Sequence, residues 1–290
     1  MRRVVSGWYA RGMSDRIEIA HPLMIQGKFE EGASHVRDWY DRSRSPGEGV
    51  LYLSLQLAML DWAGAAATMA QVRSVAPQLG ALLDRVQSSA QAERERHARA
   101  SDPARAGQRH GFAPPPPHDL LYARAEHAHA SQDHAAAKAA LDEIARIRPR
   151  TRGTITTTAG TTVRFADFVD ADDLTGAIFP VYYQGQIYDL PFSELRSLEL
   201  LPKGDPFHWL WPSVTFATKG DGPRGTVAFP ALYVGSTTQP APDVRAGRTT
   251  VFDHQLGYAL AAGLRDFWVF DEGGAKRLMG LGHFARIVFD

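Results

Sequence analysis

"DEIARIRPRTRGTITTTAGTTVRF" (residues 142–165) holds two kinds of sequence, and the junction between them decides how the chain is read. Its first residues continue a stretch, 15–150, in which Ala, Leu, Gln, Glu and Arg dominate. These are good helix formers. From Thr151 onward Thr, Val, Ile and Gly take over, a composition suited to strands and turns. Pro149 marks the boundary. On the C-terminal side, "GQIYDLPF" (185–192), "GTVAFPALYV" (225–234) and "HFARIVFD" (283–290) read as short strands separated by Gly, Pro and Asp turns. On the N-terminal side, "EGVLYLSLQLAMLDWAG" (48–64) places Leu51, Tyr52, Leu55 and Met59 at helical spacing, the mark of a buried face. The expectation is an α+β chain of two domains. Residues 15–150 are helical, residues 151–290 form a compact, mainly-β α+β domain, and residues 1–14 are an extension, with Met13 a candidate true start.

The helical half repeats itself. "QGKFEEGASHV" (26–36), "LDWAGAAATMAQV" (60–72) and "SQDHAAAKAALDEI" (131–144) share a plan. A turn residue precedes Phe29, Trp62 or His134, and Ala33, Ala65 or Ala137 follows within one helical turn. Pro77 falls fifteen residues after Trp62 and Pro149 fifteen after His134, and Phe29 and Trp62 are 33 residues apart. The pattern resembles the tetratricopeptide repeat, in which each helix pair buries its apolar face against the next. An ordinary helical bundle would explain the Ala and Leu equally well; the regular prolines favour the repeat. Between copies lies "AERERHARASDPARAGQRHGFAPPPPHD" (92–119), read as a charged, solvated helix and then a Pro-rich connector near 102–118, with Pro114 to Pro117 outside any helix.

Bulk composition excludes several function classes. Lys+Arg and Asp+Glu balance at 32 each, so no field of one sign favours nucleic acid. The chain has 0 cysteines, which removes disulfides, thiolate catalysis and thiolate metal sites. No apolar run approaches the roughly 20 residues of a membrane helix. A cytoplasmic chain without membrane insertion fits these constraints.

Five stretches carry candidate chemistry, each with a plainer explanation. "TKGDGPRGT" (218–226) lacks phosphate-loop spacing and reads as a turn between strands. "YVGSTT" (233–238) puts Ser236 after a strand, but Val234 and Thr238 stand where a nucleophile elbow needs glycines, and Asp253-His254 has no stated reason to meet it. "DFVDADD" (167–173) offers Asp170 and Asp172. They suit a metal-assisted hydrolase only if they converge in an open cleft, and otherwise hold a turn through backbone N–H groups. "EHAHASQDH" (126–134) contains His127, His129 and His134. His127 and His134 are placed on one helix face, which is too few ligands for zinc. "FHWLWP" (207–212) has no interleaved Lys or Arg and reads as core. No catalytic, cofactor-binding or metal constellation results.

The second half is similar to the ImpE/TagJ/SciE family of type VI secretion accessory proteins. The resemblance runs in order through "FADFVDADD" with Asp170 and Asp172, Gly176 and Gly185, "LPF" (190–192), Trp211-Pro212, "PALYVGS" with Pro230, Tyr233, Gly235 and Ser236, Gly247-Arg248-Thr249, and Arg286 to Phe289. Leu174, Pro180 and Asp189 depart from the family's arginine, glutamate and aromatic, and Gly263 to Asp266 stands in for a Gly-x-Gly-Gln-Arg-like stretch. The resemblance implies a cytoplasmic, non-catalytic adaptor without cofactors. Its implied partner is the small subunit of the contractile sheath, bound as a helix in a groove, with an effect on sheath assembly or on disassembly by the unfoldase. The alternatives are a repeat scaffold for another peptide partner and a hydrolase using Asp170 and Asp172.

Overall fold

The computed structural model describes residues 14–112, 116–202 and 204–290. Of the extension at 1–14 only Ser14 is among them, and Pro114 and Pro115 of the connector lie outside them. The helical half comprises α1 (Ser14–Ile25), α2 (Phe29–Ser43), α3 (Pro46–Ala58), α4 (Trp62–Val75), α5 (Gly80–Ser101), α6 (Pro117–Ala130) and α7 (His134–Ile147). Pairs α1/α2, α3/α4 and α6/α7 form hairpins. Their second helices begin at Phe29, Trp62 and His134, the three repeat positions. Two of these starts have a visible cause. The Asp61 and Asp133 carboxylates accept the backbone N–H groups of Gly64 at 2.9 Å and Ala136 at 3.0 Å, satisfying orphan donors of the first turn. Ala33, Ala65 and Ala137 are all buried.

Two expectations for the connecting stretch are corrected. Pro117 is not outside a helix: it is the first residue of α6, where a missing N–H costs nothing and the fixed φ fits the helix. The run "AERERHARAS" is helical but not solvated, since Glu93, Arg96 and Arg99 are buried. Spaced three apart, they share one side of α5.

Strands begin at Gly153. An antiparallel eight-stranded sheet contains β1 (Gly153–Thr157), β2 (Thr162–Phe165), β4 (Ile178–Tyr183), β5 (Gln186–Pro191), β6 (Leu195–Leu200), β7 (Ser213–Thr218), β8 (Arg224–Ala228) and β13 (Phe284–Phe289), in the order β2-β1-β13-β6-β7-β8-β4-β5. A three-stranded sheet joins β3 (Asp167–Asp170) to β11 (Asp266–Phe270) and β12 (Lys276–Gly280). A further hairpin pairs β9 (Thr250–Asp253) with β10 (Leu260–Gly263), preceded by the short α8 (Pro242–Arg245). "GTVAFPALYV" is not one strand. β8 stops at Ala228, ahead of Pro230, which cannot donate to a ladder, and only Leu232 bridges onward, to Leu264. "FHWLWP" is core, with Phe207, Leu210 and Trp211 buried.

The helical and β halves differ in secondary structure but share their cores. One apolar cluster joins Tyr122, Ala125, Ala137 and Ile144 of α6 and α7 to Phe168, Phe192, Phe267 and Phe284. A second joins Leu53, Met69 and Val86 of α3, α4 and α5 to Tyr182, Ile187, Phe207 and Trp211. The connector seals the outer edge of β5: the Asp189 N–H donates to the His110 carbonyl at 2.8 Å, and the Phe112 ring stacks on Tyr188 at 4.5 Å. Covering an edge in this way removes a template for unwanted pairing.

Because the clusters cross the junction, a fragment of residues 151–290 would expose the sheet side of both. It is expected to bind a hydrophobic dye and to melt well below the full chain, or without a cooperative transition. A fragment with the full chain's melting temperature would show that the shared clusters do not hold the β half together.

Candidate functional site

The acidic cluster leaves β3 and enters a tight turn. Asp170, the last residue of β3, is 1% exposed. Its Oδ1 accepts the Asp172 N–H at 2.9 Å and the Tyr233 hydroxyl at 2.8 Å, and its Oδ2 pairs with Arg265. Arg265 is as deeply buried. Its Nε donates to the Pro230 carbonyl at 3.3 Å, and its guanidinium lies over the Tyr233 ring at 4.7 Å and the Phe229 ring at 5.4 Å. Asp172 accepts the Leu174 N–H at 2.9 Å on one oxygen and the Ala261 N–H at 2.8 Å on the other. Burial, with Asp170 adjacent, pushes its carboxyl up to about 7. Both aspartates therefore hold a turn and tie it to β10 and to the 230–233 segment. They do not meet in an open cleft.

Ser236 sits nearby and is equally occupied. Gly235, at φ +78°, turns the chain into the short helical turn that Ser236 begins. The buried Ser236 Oγ accepts the Gly263 N–H at 2.7 Å and donates to the Tyr233 carbonyl at 2.7 Å. Among the described residues no base is hydrogen-bonded to it, and a serine nucleophile needs one. Asp253 and His254 lie on and just after β9, with His254 stacked on Phe252.

A second polar centre lies where α5 crosses the sheet. The buried Glu93 carboxylate is reached by Arg96 Nη2 at 2.5 Å, His97 Nε2 at 3.1 Å, Trp211 Nε1 at 3.2 Å and the Tyr182 hydroxyl. Burial alone would raise its pKa, but the Arg96 charge and the bonds from His97 and Arg96 carry it well below the carboxylate range. Gly185 belongs to the same contact. It takes φ +78° in the β4–β5 turn and donates its N–H to Ser88 Oγ of α5 at 2.8 Å, and a Cβ there would stand 2.8 Å from Gln91. One step along, Arg99 meets Glu126 at 3.0 Å and Asp189 at 3.4 Å, and Arg109 meets the same two carboxylates at 3.1 Å each. Asp189, the departure from the family's aromatic, is thus matched by two arginines. Beside them Asp119 is buried with Oδ1 unpaired, 3.5 Å from His118 Nε2, and burial pushes its carboxyl up to about 7.

Contrary to expectation, His127 and His134 do not share a helix face, because Ser131 to Asp133 separate α6 from α7 and place them on different helices. His127 Nδ1 lies 3.1 Å from the Pro103 carbonyl, whereas His129 and His134 converge on the Tyr258 hydroxyl at 2.6 and 3.2 Å. Among the described residues no group of three His, Cys, Asp or Glu side chains could hold a metal. Arg248 is exposed and pairs with Asp243, and Arg286 is exposed on β13 opposite Glu199. Pro230, Tyr233, Asp170 and Asp172 are brought together, with Ser236 adjoining. Trp211 and Gly185 join the Glu93 centre, and Arg248 and Arg286 lie apart from both. A cavity of about 20 Å³ between Glu93, Arg96, Trp211 and Tyr233 is too small for a ligand. An open groove of about 500 Å³ lies instead along α6.

Residues 162–282 match the family model described as ImpE protein. This stretch is similar to the ImpE family, an accessory family and not a known enzyme class, and the match supports a type VI secretion-associated protein. The Asp170–Arg265–Tyr233 cluster and Ser236 all fall inside this ImpE-like region, while Glu93 and its arginines precede it. The fold is similar to that of protein VPA1032 from Vibrio parahaemolyticus, known from a crystal structure. The two are 15% identical, with a TM-score of 0.79 over 94% of this chain and 97% of that one. No curated protein matches the chain. Among the described residues no helix is long and apolar enough to cross a membrane.

Removing one partner of either buried centre strands a charge. Arg265→Met and Glu93→Ala are each expected to cost about 3–5 kcal/mol of unfolding free energy, read by denaturant titration. A loss under 1 kcal/mol in both would show that the centres do not support the fold.

A pH dependence follows from the raised carboxyls. Asp119 and Asp172 bind their protons more tightly folded, near 7, than at the ordinary 3.8. The stability they lend is complete below about pH 4 and is lost as pH rises toward about 7. Asp119→Asn should flatten that decline in melts taken from pH 4 to 7, and an unchanged slope would remove Asp119 as its source.

Proposed function

We propose that this protein is a non-catalytic cytoplasmic adaptor of the type VI secretion machinery. It binds the small subunit of the contractile sheath as a helix in a groove, and so modulates sheath assembly or, indirectly, disassembly by the unfoldase. The observation that carries this reading is the family match over residues 162–282. Two features of the molecule support it. Asp170, Asp172 and Ser236, the side chains an enzyme would use, are engaged by backbone N–H groups and buried partners. Three helical hairpins offer the kind of surface on which an amphipathic helix docks with anchors at i, i+3, i+4 and i+7.

The shared cores make the full chain the proper bait. Incubated with extract from cells assembling a type VI sheath, it is expected to retain the small sheath subunit. An eluate lacking that subunit while the extract contains it would overturn the reading. Specific enrichment of another peptide partner would then favour a scaffold outside the sheath.

A further inference from the structure

We propose that the free edge of β12 is a self-pairing surface, on which a second copy of this chain sets its own β12 antiparallel about a two-fold axis at Leu278. The connector covers the edge of β5, but β12 ends the three-stranded sheet β12-β11-β3 with no described segment paired to its outer side. The β11–β12 hairpin fixes what that edge offers. At its mouth the Asp271 N–H donates to the Ala275 carbonyl at 2.9 Å, and further along Val269 stands opposite Arg277 and Phe267 opposite Met279. Bonded pairs alternate along an antiparallel ladder, so these pairs carry the bonds between the strands. The N–H and C=O groups of Lys276, Leu278 and Gly280 therefore point outward. They bond no other described residue.

The side chains restrict what can pair there. Leu278, 40% exposed, stands opposite Trp268, which stands opposite Val169 on its other side. These three form an apolar row on the face away from the buried Phe168, Phe267 and Val269. Lys276 and Arg277 precede Leu278, both exposed and without an ion pair among the described residues, and Lys276 Nζ lies over the Trp268 ring at 4.5 Å. Cations on an edge strand ordinarily discourage an incoming strand.

One register turns that barrier into selectivity. Centred on Leu278, it sets Lys276 of each copy opposite Gly280 of the other, and Arg277 opposite Met279. Gly280 has no side chain, and a Cβ there would stand 3.0 Å from Asp266 Oδ1. The Asp266 carboxylate thus lies beside the space that Lys276 of the second copy enters, on the same face of the sheet as Trp268. Asp266 has no ion pair among the described residues. Registers centred on Lys276 or on Arg277 would instead set like cations opposite each other, which destabilises a strand pair. In the favoured register Leu278 meets Leu278 of the second copy, and the apolar row of Val169, Trp268 and Leu278 continues across the axis. The contact involves a strand of 5 residues, so the dimer belongs with small, reversible interfaces.

Sedimentation velocity of the full chain over a concentration series is expected to show a monomer–dimer equilibrium. Hydrogen exchange at the Lys276, Leu278 and Gly280 amides is expected to slow as concentration rises. Leu278→Pro removes an N–H that a single copy leaves unused, on an edge strand where proline is tolerated. Lys276→Glu sets a carboxylate against Asp266 of the second copy. Each is expected to weaken dimerisation about tenfold or more, with melting temperatures in dilute solution checking that the fold is kept. A chain that stays monomeric at its highest soluble concentration overturns the proposal. So does a dimer that both substitutions leave unchanged, or one that protects other amides and not these three. None of these outcomes depends on capture of a sheath subunit, so this proposal and the adaptor reading fail separately.

Discussion

A carboxylate taken out of water must be neutralised or surrounded by donors. Glu93 is surrounded, and the identity of its donors explains how the two halves of the chain meet. Arg96 and His97 come from its own helix, Tyr182 from β4 and Trp211 from the segment before β7. No single segment could supply this set. The bonds form only when α5 lies across the sheet in one register, so the cost of leaving Glu93 unpaired penalises other placements. Arg99 repeats the arrangement two turns on, drawing Glu126 of α6, Asp189 of β5 and the connector's Arg109 into one network. Hydrophobic burial supplies the larger driving force, but it is not directional. The charges fix the geometry.

This explains which parts of the structure are legible in the sequence. Local chemistry reads well. Asp61 and Asp133 cap the helices that follow them, the regular prolines punctuate the hairpins, and the Thr- and Val-rich stretch after Pro149 forms the β1–β2 hairpin. Where reading fails, the cause is a partner remote in sequence. The run around Glu93 has the composition of a solvated helix, and its burial depends on Tyr182 and Trp211, 89 and 118 residues away. Arg265 looks like an ordinary charge after a glycine turn until Asp170, 95 residues earlier, is placed against it. The histidine stretch is misread for a local reason: treating 126–134 as one helix ignores the turn at Ser131 to Asp133, which sends His134 into the next helix beside His129. The aspartates at 170 and 172 read correctly as turn holders because short carboxylates bond neighbouring backbone N–H groups wherever chains turn.

The same accounting bears on how such a molecule could act. A partner bound to the α6–α7 hairpin would press on elements that share an apolar cluster with Phe168, Phe192 and Phe267 of the β half. The hairpin is also held to Tyr258 through His129 and His134, and to Gly176 and Ala177 through Tyr122, whose hydroxyl accepts the Ala177 N–H at 2.8 Å. Tightly packed elements of this kind move together or not at all. A hinge between the helical and ImpE-like regions would have to break these bonds and both shared clusters at once. The molecule is therefore built to present surfaces in fixed relation. The shared clusters and these bonds join the helical half and the ImpE-like region into one packed unit.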